Sequence, residues 1–243
     1  MMLLEGKTAL VTGASRGIGK AIAVKMASEG ACAILVGRKM ETLKTVEAEI
    51  RQKGGNADCY VCDVRDWKSV TNMVAEIIKK HEKIDILVNN AGISKEMPFL
   101  EMPIEVFDEI CEMNLRSVML MMKAVMPYMA ERKSGNVVNI GSGAALRGLP
   151  GSAAYATAKA GVVCLTQAVG DEVRPLGIRV NVICPGPVDT ELFQKSERRE
   201  FILQAGGDLF QPETVANAAV FLASDLSEGM NSQTLVMRGF NRW

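Results

Sequence analysis

The sequence predicts an α/β fold in which helices cover both faces of a parallel sheet. Short apolar runs rich in β-branched residues alternate with longer helical stretches along the whole chain. Such β-α-β alternation implies parallel strands with crossover helices on the two faces. No Pro- or Ser-rich linker and no shift in composition divides the 243 residues, so we expect one domain, 1–243.

Seven segments have the pattern of strands and six have the pattern of helices. The predicted strands are Lys7–Thr12, Cys32–Gly37, Ala57–Cys62, Ile84–Asn89, Gly135–Gly141, Ile178–Cys184 and Gln233–Met237. The predicted helices are Gly17–Glu29, Glu41–Lys53, Asp66–Lys80, Pro103–Arg132, Ser152–Arg174 and Pro212–Ala223.

Composition and charge exclude several classes of protein. Acidic and basic residues balance at 28 each, which indicates neither a nucleic-acid partner nor a membrane surface. The first residues include Glu5 and Lys7 and lack the apolar core of a signal peptide. The most apolar run, Ser117–Met129, contains Lys123 and is too short to cross a bilayer. We therefore expect a soluble, cytoplasmic protein.

Cysteine and histidine do not form a metal-binding pattern. Cys59 and Cys62 make a C-x-x-C, but they fall in a predicted strand, where side chains three apart point to opposite faces. The single histidine, His81, lies in a polar stretch and is predicted to be a solvated helix end. We predict no metal.

A glycine-rich turn follows the first strand and precedes the first helix. Glycines allow a tight turn and close approach of backbone amides to phosphate, and the helix end adds a positive dipole. The spacing is G-x-x-x-G-x-G, not the commoner G-x-G-x-x-G, and a turn that serves packing alone is the alternative. The predicted cofactor-binding residues here are Gly13, Ser15, Arg16, Gly17, Ile18 and Gly19.

The end of the second strand favours NADP(H) over NAD. An acidic residue there would bind the adenosine ribose of NAD, whereas arginine accommodates the 2′-phosphate of NADP. This chain has Gly37 and Arg38, with Arg16 in the turn. Two exposed arginines without a ligand are the alternative. Asp63, with Val64 beside it, is predicted to accept from the adenine amino group, or else to cap the third strand.

Tyr155 and Lys159 have the spacing of a proton-transfer pair. Residues at i and i+4 share one helical face, and a fixed positive charge beside a phenol lowers its pKa. Such a tyrosine can act as a general acid or base. The same spacing also arises by coincidence in many helices, so its meaning depends on the rest of the chain.

Taken together, these motifs resemble the short-chain dehydrogenase/reductase family, in outline its 3-oxoacyl-acyl carrier protein reductase-like members. The resemblance covers nearly the whole chain and implies a doubly wound Rossmann fold. It is carried, in the family's order, by Thr12-Gly13-x-x-x-Gly17-x-Gly19, Asn89-Asn90-Ala91-Gly92, Asn114, Ser142, Tyr155-x-x-x-Lys159 and Pro185-Gly186.

The resemblance implies a catalytic tetrad of Asn114, Ser142, Tyr155 and Lys159. Ser142 would donate to the substrate carbonyl oxygen, and Tyr155 would give that oxygen its proton. Lys159 would lower the pKa of Tyr155 and hold the nicotinamide ribose. Asn114 would hold a water that links Lys159 to solvent.

The resemblance also implies cofactor contacts at two other places. After the fourth strand these are Asn90, Ala91 and Gly92, with Asn89 partly structural; after the sixth they are Pro185, Gly186, Val188 and Thr190. Residues 185–211 are long for a connection in an α/β fold, which by itself indicates a flap over a site.

The expected function is NADP(H)-dependent hydride transfer to or from a carbonyl, most of all a 3-oxoacyl thioester. Alternatives are a dehydrogenase of a small ketone, sugar or steroid, and a catalytically silent NADPH-binding regulator. Arg132, Lys133 and Arg174 are candidate contacts for an acidic acyl carrier protein, or else solvated helix ends. The family implies a homotetramer, although Arg238, Phe240 and Trp243 give this chain an unusual tail.

Overall fold

The computed structural model contains one parallel sheet of seven strands in the order β3-β2-β1-β4-β5-β6-β7. It describes residues 2–194, 196, 198–204 and 207–238. The strand order reverses between β1 and β4, which opens a crevice at their carboxyl ends. The strands are β1 Thr8–Thr12, β2 Cys32–Gly37, β3 Asn56–Val61, β4 Ile86–Asn89, β5 Gly135–Ile140, β6 Ile178–Pro185 and β7 Thr234–Met237.

Nine α-helices lie in the described part of the chain. They are α1 Gly17–Ser28, α2 Met40–Gln52, α3 Trp67–His81, α4 Ile104–Cys111, α5 Ser117–Glu131, α6 Ala153–Val173, α7 Glu191–Gln194, α8 Arg198–Gln204 and α9 Pro212–Ala223. The fold class and each predicted strand are confirmed, with strand ends that differ by at most two residues.

The sheet is covered on both faces by apolar clusters. One cluster packs α1, α2 and α9 against one face through Ile22, Leu43 and Val220. The other packs α3 and α5 against the opposite face through Ile77 and Val125. Since both faces are buried, the central strands are mostly apolar, and every residue of β1 is buried.

The prediction of one continuous helix over Pro103–Arg132 is wrong in one respect, because the helix is not regular along its whole length. Between α4 and α5 the backbone makes a π-helical turn over Glu112–Arg116. Such turns insert a wider hydrogen-bond ring into a helix and often occur at functional sites. Periodicity in the sequence does not reveal a single wide turn, yet this one carries Asn114.

His81 ends α3 but is not solvated, so that prediction is wrong. Its side chain is 13% exposed and its Nε2 lies 2.9 Å from Oδ2 of Asp58 on β3. The prediction that Cys59 and Cys62 point to opposite faces of the sheet is confirmed, because Cys59 packs against one apolar cluster and Cys62 belongs to the other. Burial raises the pKa of each of these thiols to about 11.

The described residues contain neither a metal-binding cluster nor a membrane-spanning helix. No group of three or more His, Cys, Asp or Glu residues among them is arranged to hold a metal ion. Within the same ranges, no helix has both the length and the apolar character needed to cross a membrane.

A buried row of polar side chains ties the middle of the sheet to α6. Asn89 Nδ2 donates to Asn139 Oδ1 at 2.9 Å, and Asn139 Nδ2 donates to Thr166 Oγ1 at 2.9 Å. Thr166 Oγ1 in turn donates to the carbonyl of Val162 at 2.7 Å. The row fixes the carboxyl ends of β4 and β5 relative to α6, and confirms that Asn89 is structural.

We predict that Asn139→Ala lowers the free energy of unfolding by about 1–3 kcal/mol, because it leaves buried partners unsatisfied. The matched control is Asn56→Ala, at an exposed strand end, which should change it by less than about 0.5 kcal/mol. Urea denaturation of the two variants provides the comparison. Equal losses would contradict a structural role for the row.

Candidate active site

The glycine turn after β1 is shaped so that side chains are excluded from it. Gly13 and Gly17 have φ of +65° and +54°, in the left-handed region that favours glycine. A Cβ on Gly19 would collide with the carbonyl of Gly13 and the side-chain amide of Asn90. The turn is therefore a bare backbone surface at the amino end of α1, which suits a phosphate group.

The end of β4 holds this turn in place. Asn90 Nδ2 donates to the carbonyl of Thr12 at 2.9 Å. The backbone amides of Asn90 and Ala91 both donate to Thr12 Oγ1, at 3.0 and 3.1 Å. The predicted cofactor residues after β1 and β4 are thus brought together, and the side chain of Asn90 also braces the turn.

The predicted adenine contact has a protein partner. Asp63 pairs with Arg65, whose Nη2 lies 2.6 Å from Oδ2, and this hydrogen bond lowers the pKa of the Asp63 carboxyl. Val64 beside it is buried. Arg65 was not among the predicted site residues. The sequence does show an acidic residue and an arginine two positions apart after a strand, which could have indicated this ion pair. Arg38 is exposed directly after β2.

Ser142, Tyr155 and Lys159 meet at the carboxyl end of β5. Ser142 follows the strand in extended backbone, and its Oγ accepts from the amide of Ala144 at 3.2 Å. Tyr155 and Lys159 face the strand from the first turns of α6. Lys159 Nζ donates to the carbonyl of Ile140 at 2.8 Å and lies 5.8 Å from the centre of the Tyr155 ring.

Burial shifts the acidity of both titratable groups in this trio. It lowers the pKa of Lys159 to about 8. It also raises the pKa of Tyr155, while a hydrogen bond with Ser142 acts in the opposite direction. The predicted lowering of the Tyr155 pKa by Lys159 is therefore wrong for this structure. The ammonium group donates to the carbonyl of Ile140, and desolvation of the phenol outweighs the hydrogen bond with Ser142.

Asn114 lies close to Lys159 but is held by the backbone around it. Its Nδ2 donates to the carbonyls of Ile93 and Ile110 at 2.9 and 3.0 Å, and its Oδ1 accepts from the amide of Ile93 at 3.1 Å. Between the two side chains lies Gly92, where a Cβ would be 2.6 Å from Asn114 Oδ1 and 3.7 Å from Lys159 Nζ. The π-helical turn thus positions Asn114 beside the trio.

The segment after β6 turns back over the glycine turn. Pro185 ends β6, and the amide of Gly186 donates to the carbonyl of Met237 at 2.8 Å. Val188 forms an isolated parallel bridge with Phe210, which closes the base of the flap. Thr190 Cγ2 lies 3.4 Å from the place where a Cβ on Gly17 would be. Thr190 therefore lies against the glycine turn, and Pro185, Gly186 and Val188 connect it to the carboxyl end of β6.

The three basic residues proposed for a carrier protein lie elsewhere. Arg132 and Lys133 precede β5, and Arg174 precedes β6, so they lie at the amino ends of these strands. Ser142 lies at the opposite, carboxyl end of β5. At about 3.3 Å per residue, the strand separates the two ends by about 20 Å.

We predict that Lys159→Met removes a distinctive pH dependence of stability. Folding lowers the pKa of Lys159 from 10.5 to about 8, so the unfolded chain binds more protons between these values. Hence wild-type stability rises with pH relative to the variant, by about 2–3 kcal/mol from pH 8 to 10. The difference levels off above pH 10 because Lys159 also loses its proton in the unfolded chain as the pH approaches 10.5. Urea titrations at fixed pH measure the difference; a constant difference would contradict the burial of this charge.

We also predict that Gly19→Ala destabilises the fold. Overpacking costs about 1–3 kcal/mol and outweighs the helix propensity of about 1 kcal/mol that alanine gains over glycine. Gly148→Ala is the matched control, since a Cβ there meets nothing within 4 Å. Thermal unfolding of both variants gives the comparison, and equal midpoints would show that the turn tolerates a side chain.

The chain matches known oxidoreductases over nearly its full length. The family model described as short chain dehydrogenase matches residues 7–200. The 3-oxoacyl-[acyl-carrier-protein] reductase FabG of Thermotoga maritima is 36% identical over 242 residues, which are 98% of each chain.

Two solved structures extend the comparison. A short-chain dehydrogenase/reductase of Burkholderia xenovorans superposes with a TM-score of 0.94 at 33% identity, over 98% of this chain and 97% of that one. A gluconate 5-dehydrogenase of Beutenbergia cavernae, described with NADP bound, gives 0.91 at 34% identity, over 97% and 96%. The sequence motifs, the fold and these matches agree: the chain belongs to the short-chain dehydrogenase family, whose members are nicotinamide-dependent oxidoreductases that act on C=O and CH–OH groups.

Proposed function

We propose that this protein is an NADP(H)-dependent ketoreductase that reduces a 3-oxoacyl thioester. One observation carries the proposal: Ser142, Tyr155 and Lys159 converge at the edge of the sheet where the glycine turn offers a phosphate site. A polar trio at a strand end has the groups needed to orient a carbonyl, protonate its oxygen and hold a ribose.

Each side chain has a defined part in the proposed reaction. The nicotinamide cofactor, when bound, supplies the hydride that reaches the carbonyl carbon. Ser142 donates a hydrogen bond to the carbonyl oxygen, and Tyr155 transfers its phenolic proton to that oxygen, which leaves an alcohol and a phenolate. Lys159 stabilises the phenolate and holds the ribose hydroxyls, and Asn114 positions the water that returns a proton.

The charges around the crevice support NADP(H) as the cofactor. β2 ends in Gly37 and is followed by the exposed Arg38, so no carboxylate at this position repels a 2′-phosphate. Arg16 lies in the glycine turn. A phosphate monoester carries about two negative charges at neutral pH, which two guanidinium groups can neutralise.

The FabG match supports the thioester substrate, and the alternatives remain small ketones, sugars and steroids. The gluconate 5-dehydrogenase match supports the sugar class, and a levodione reductase of similar fold supports the ketone class. A silent NADPH-binding regulator is disfavoured because all four tetrad side chains are present. A carrier protein bound at Arg132, Lys133 and Arg174 would face away from the Ser142 of the same chain, so it would serve the site of another subunit.

We further propose a cytoplasmic homotetramer. The six cysteines are unpaired, in keeping with a reducing compartment. Met119 on α5 and Cys164 on α6 are exposed beside Leu115 and Leu165, which gives the α5–α6 side an apolar surface suited to a second copy. Arg238 is exposed after β7, and Phe240 and Trp243 of the tail fall outside the described residues.

We predict that the protein oxidises NADPH in the presence of a β-ketoacyl thioester, and that Tyr155→Phe lowers kcat by about 100-fold or more, because the proton donor is lost. A panel with diketones, ketosteroids and keto-sugars measures the substrate class. No difference between wild type and variant on any carbonyl would refute the enzyme, and NADPH binding in calorimetry without turnover would favour the regulator.

A carrier protein as partner leads to a separate expectation. An acyl-carrier thioester should show a KM at least about tenfold below that of its coenzyme A analogue, and added salt should remove the difference by screening. Steady-state kinetics at low and high salt provide the measurement. Equal KM values at low salt would point to a free small-molecule substrate.

A further inference from the structure

Arg16 is paired with a carboxylate of the flap. Its Nη1 lies 3.1 Å from Oε2 of Glu191, the first residue of α7. The neighbouring acid, Asp189, is directed elsewhere, to Gln194 at 3.3 Å and toward Arg199 at 3.9 Å. Glu191 is therefore the flap carboxylate that faces the guanidinium group at the glycine turn.

The amino end of α1 has no anion of its own. Its N-cap residue, Arg16, makes no side-chain capping bond, and the first turn of the helix contains no acidic residue. By contrast, α3 is capped by Asp66, which accepts from the amide of Ser69 at 2.9 Å. Because a helix amino end favours negative charge, a cofactor phosphate is expected there, and Glu191 is paired with the guanidinium group of the residue at this end.

The position of Glu191 is fixed by the residue before it. The methyl group of Thr190 packs over Gly17, and Thr190 Oγ1 accepts from the amide of Phe193 at 3.3 Å, which caps α7. One short segment of the flap thus contacts the glycine turn and also presents the carboxylate to Arg16.

We propose that Glu191 acts as a gate: it occupies Arg16 in the free protein and must release it before a cofactor phosphate can bind there. This inference rests on the proposed NADP(H) function. Binding of the cofactor then separates Glu191 from Arg16, and the flap loses this contact with the glycine turn. Glu191 is in this account a residue that sets cofactor affinity, not a catalytic residue.

The gate is weak enough to be reversible. The side chains of Arg16 and Glu191 are 64% and 65% exposed, so water and salt screen their attraction. A phosphate with about two charges competes with a carboxylate that has one. We therefore expect removal of the Glu191 charge to tighten cofactor binding by about two- to fivefold rather than by orders of magnitude.

The test compares Glu191→Gln with Glu200→Gln, which removes the same charge from an exposed position of α8 in the same flap. Calorimetry on the full-length protein gives the Kd of NADPH and of NADH for both variants, for wild type, and for Arg16→Ala with and without Glu191→Gln. We expect Glu191→Gln alone to lower the Kd of NADPH, and the effect to disappear when Arg16 is absent.

The possible results distinguish failure of the gate from failure of the proposed NADP(H) function. A gain for NADPH alone supports competition with the 2′-phosphate, and an equal gain for NADH supports competition with the pyrophosphate. Equal Kd values for Glu191→Gln, Glu200→Gln and wild type overturn the gate while the cofactor assignment stands. Failure of the wild type to bind NADPH overturns both. Faster trypsin cleavage of the flap in free Glu191→Gln than in free Glu200→Gln is the second expected result.

Discussion

The buried ammonium group of Lys159 is the constraint around which this site is organised. The residue is only 4% exposed, and its Nζ donates to the carbonyl of Ile140. A charge in such a place is costly unless it is fixed by hydrogen bonds, and the cost appears as a pKa lowered to about 8. The position of Ile140 is in turn set by Asn139, whose amide links β4, β5 and α6. The proposed chemistry thus depends on the register of the sheet.

The flap connects the two halves of the crevice. On the cofactor side, Glu191 contacts Arg16 and Thr190 packs over Gly17. On the substrate side, Ser196 Oγ donates to both carboxylate oxygens of Glu96 at 3.1 Å. The charge of Glu96 also contributes to the raised pKa of Tyr155. A segment with contacts on both sides can couple cofactor loading to access of the substrate.

Much of the fold followed from local patterns, because parallel strands buried on both faces have a distinct apolar signature. The glycine turn and the pair Tyr155 and Lys159 were also predictable from spacing within one segment, whereas Asn114 and Ser142 followed only from the resemblance to the family. Contacts between distant segments were not predictable: Glu191 meets Arg16 across 175 positions of sequence, and no local pattern links them. The acidity of Tyr155 was misjudged for a related reason. Spacing placed a charge beside the phenol, but it could not show that Ile140 holds this charge or that burial dominates.

The central claim is that Lys159 and Tyr155 act as one proton-transfer unit once the cofactor is in place. The absorbance of tyrosinate, taken as the difference between wild type and Tyr155→Phe, reports the pKa of Tyr155 in free protein and with saturating NADP⁺. We predict a pKa above 10 in the free protein and a fall when NADP⁺ binds, because the oxidised nicotinamide adds positive charge beside the phenol. We also expect a smaller fall in Lys159→Met. A pKa of Tyr155 that is the same with and without NADP⁺ would contradict the account.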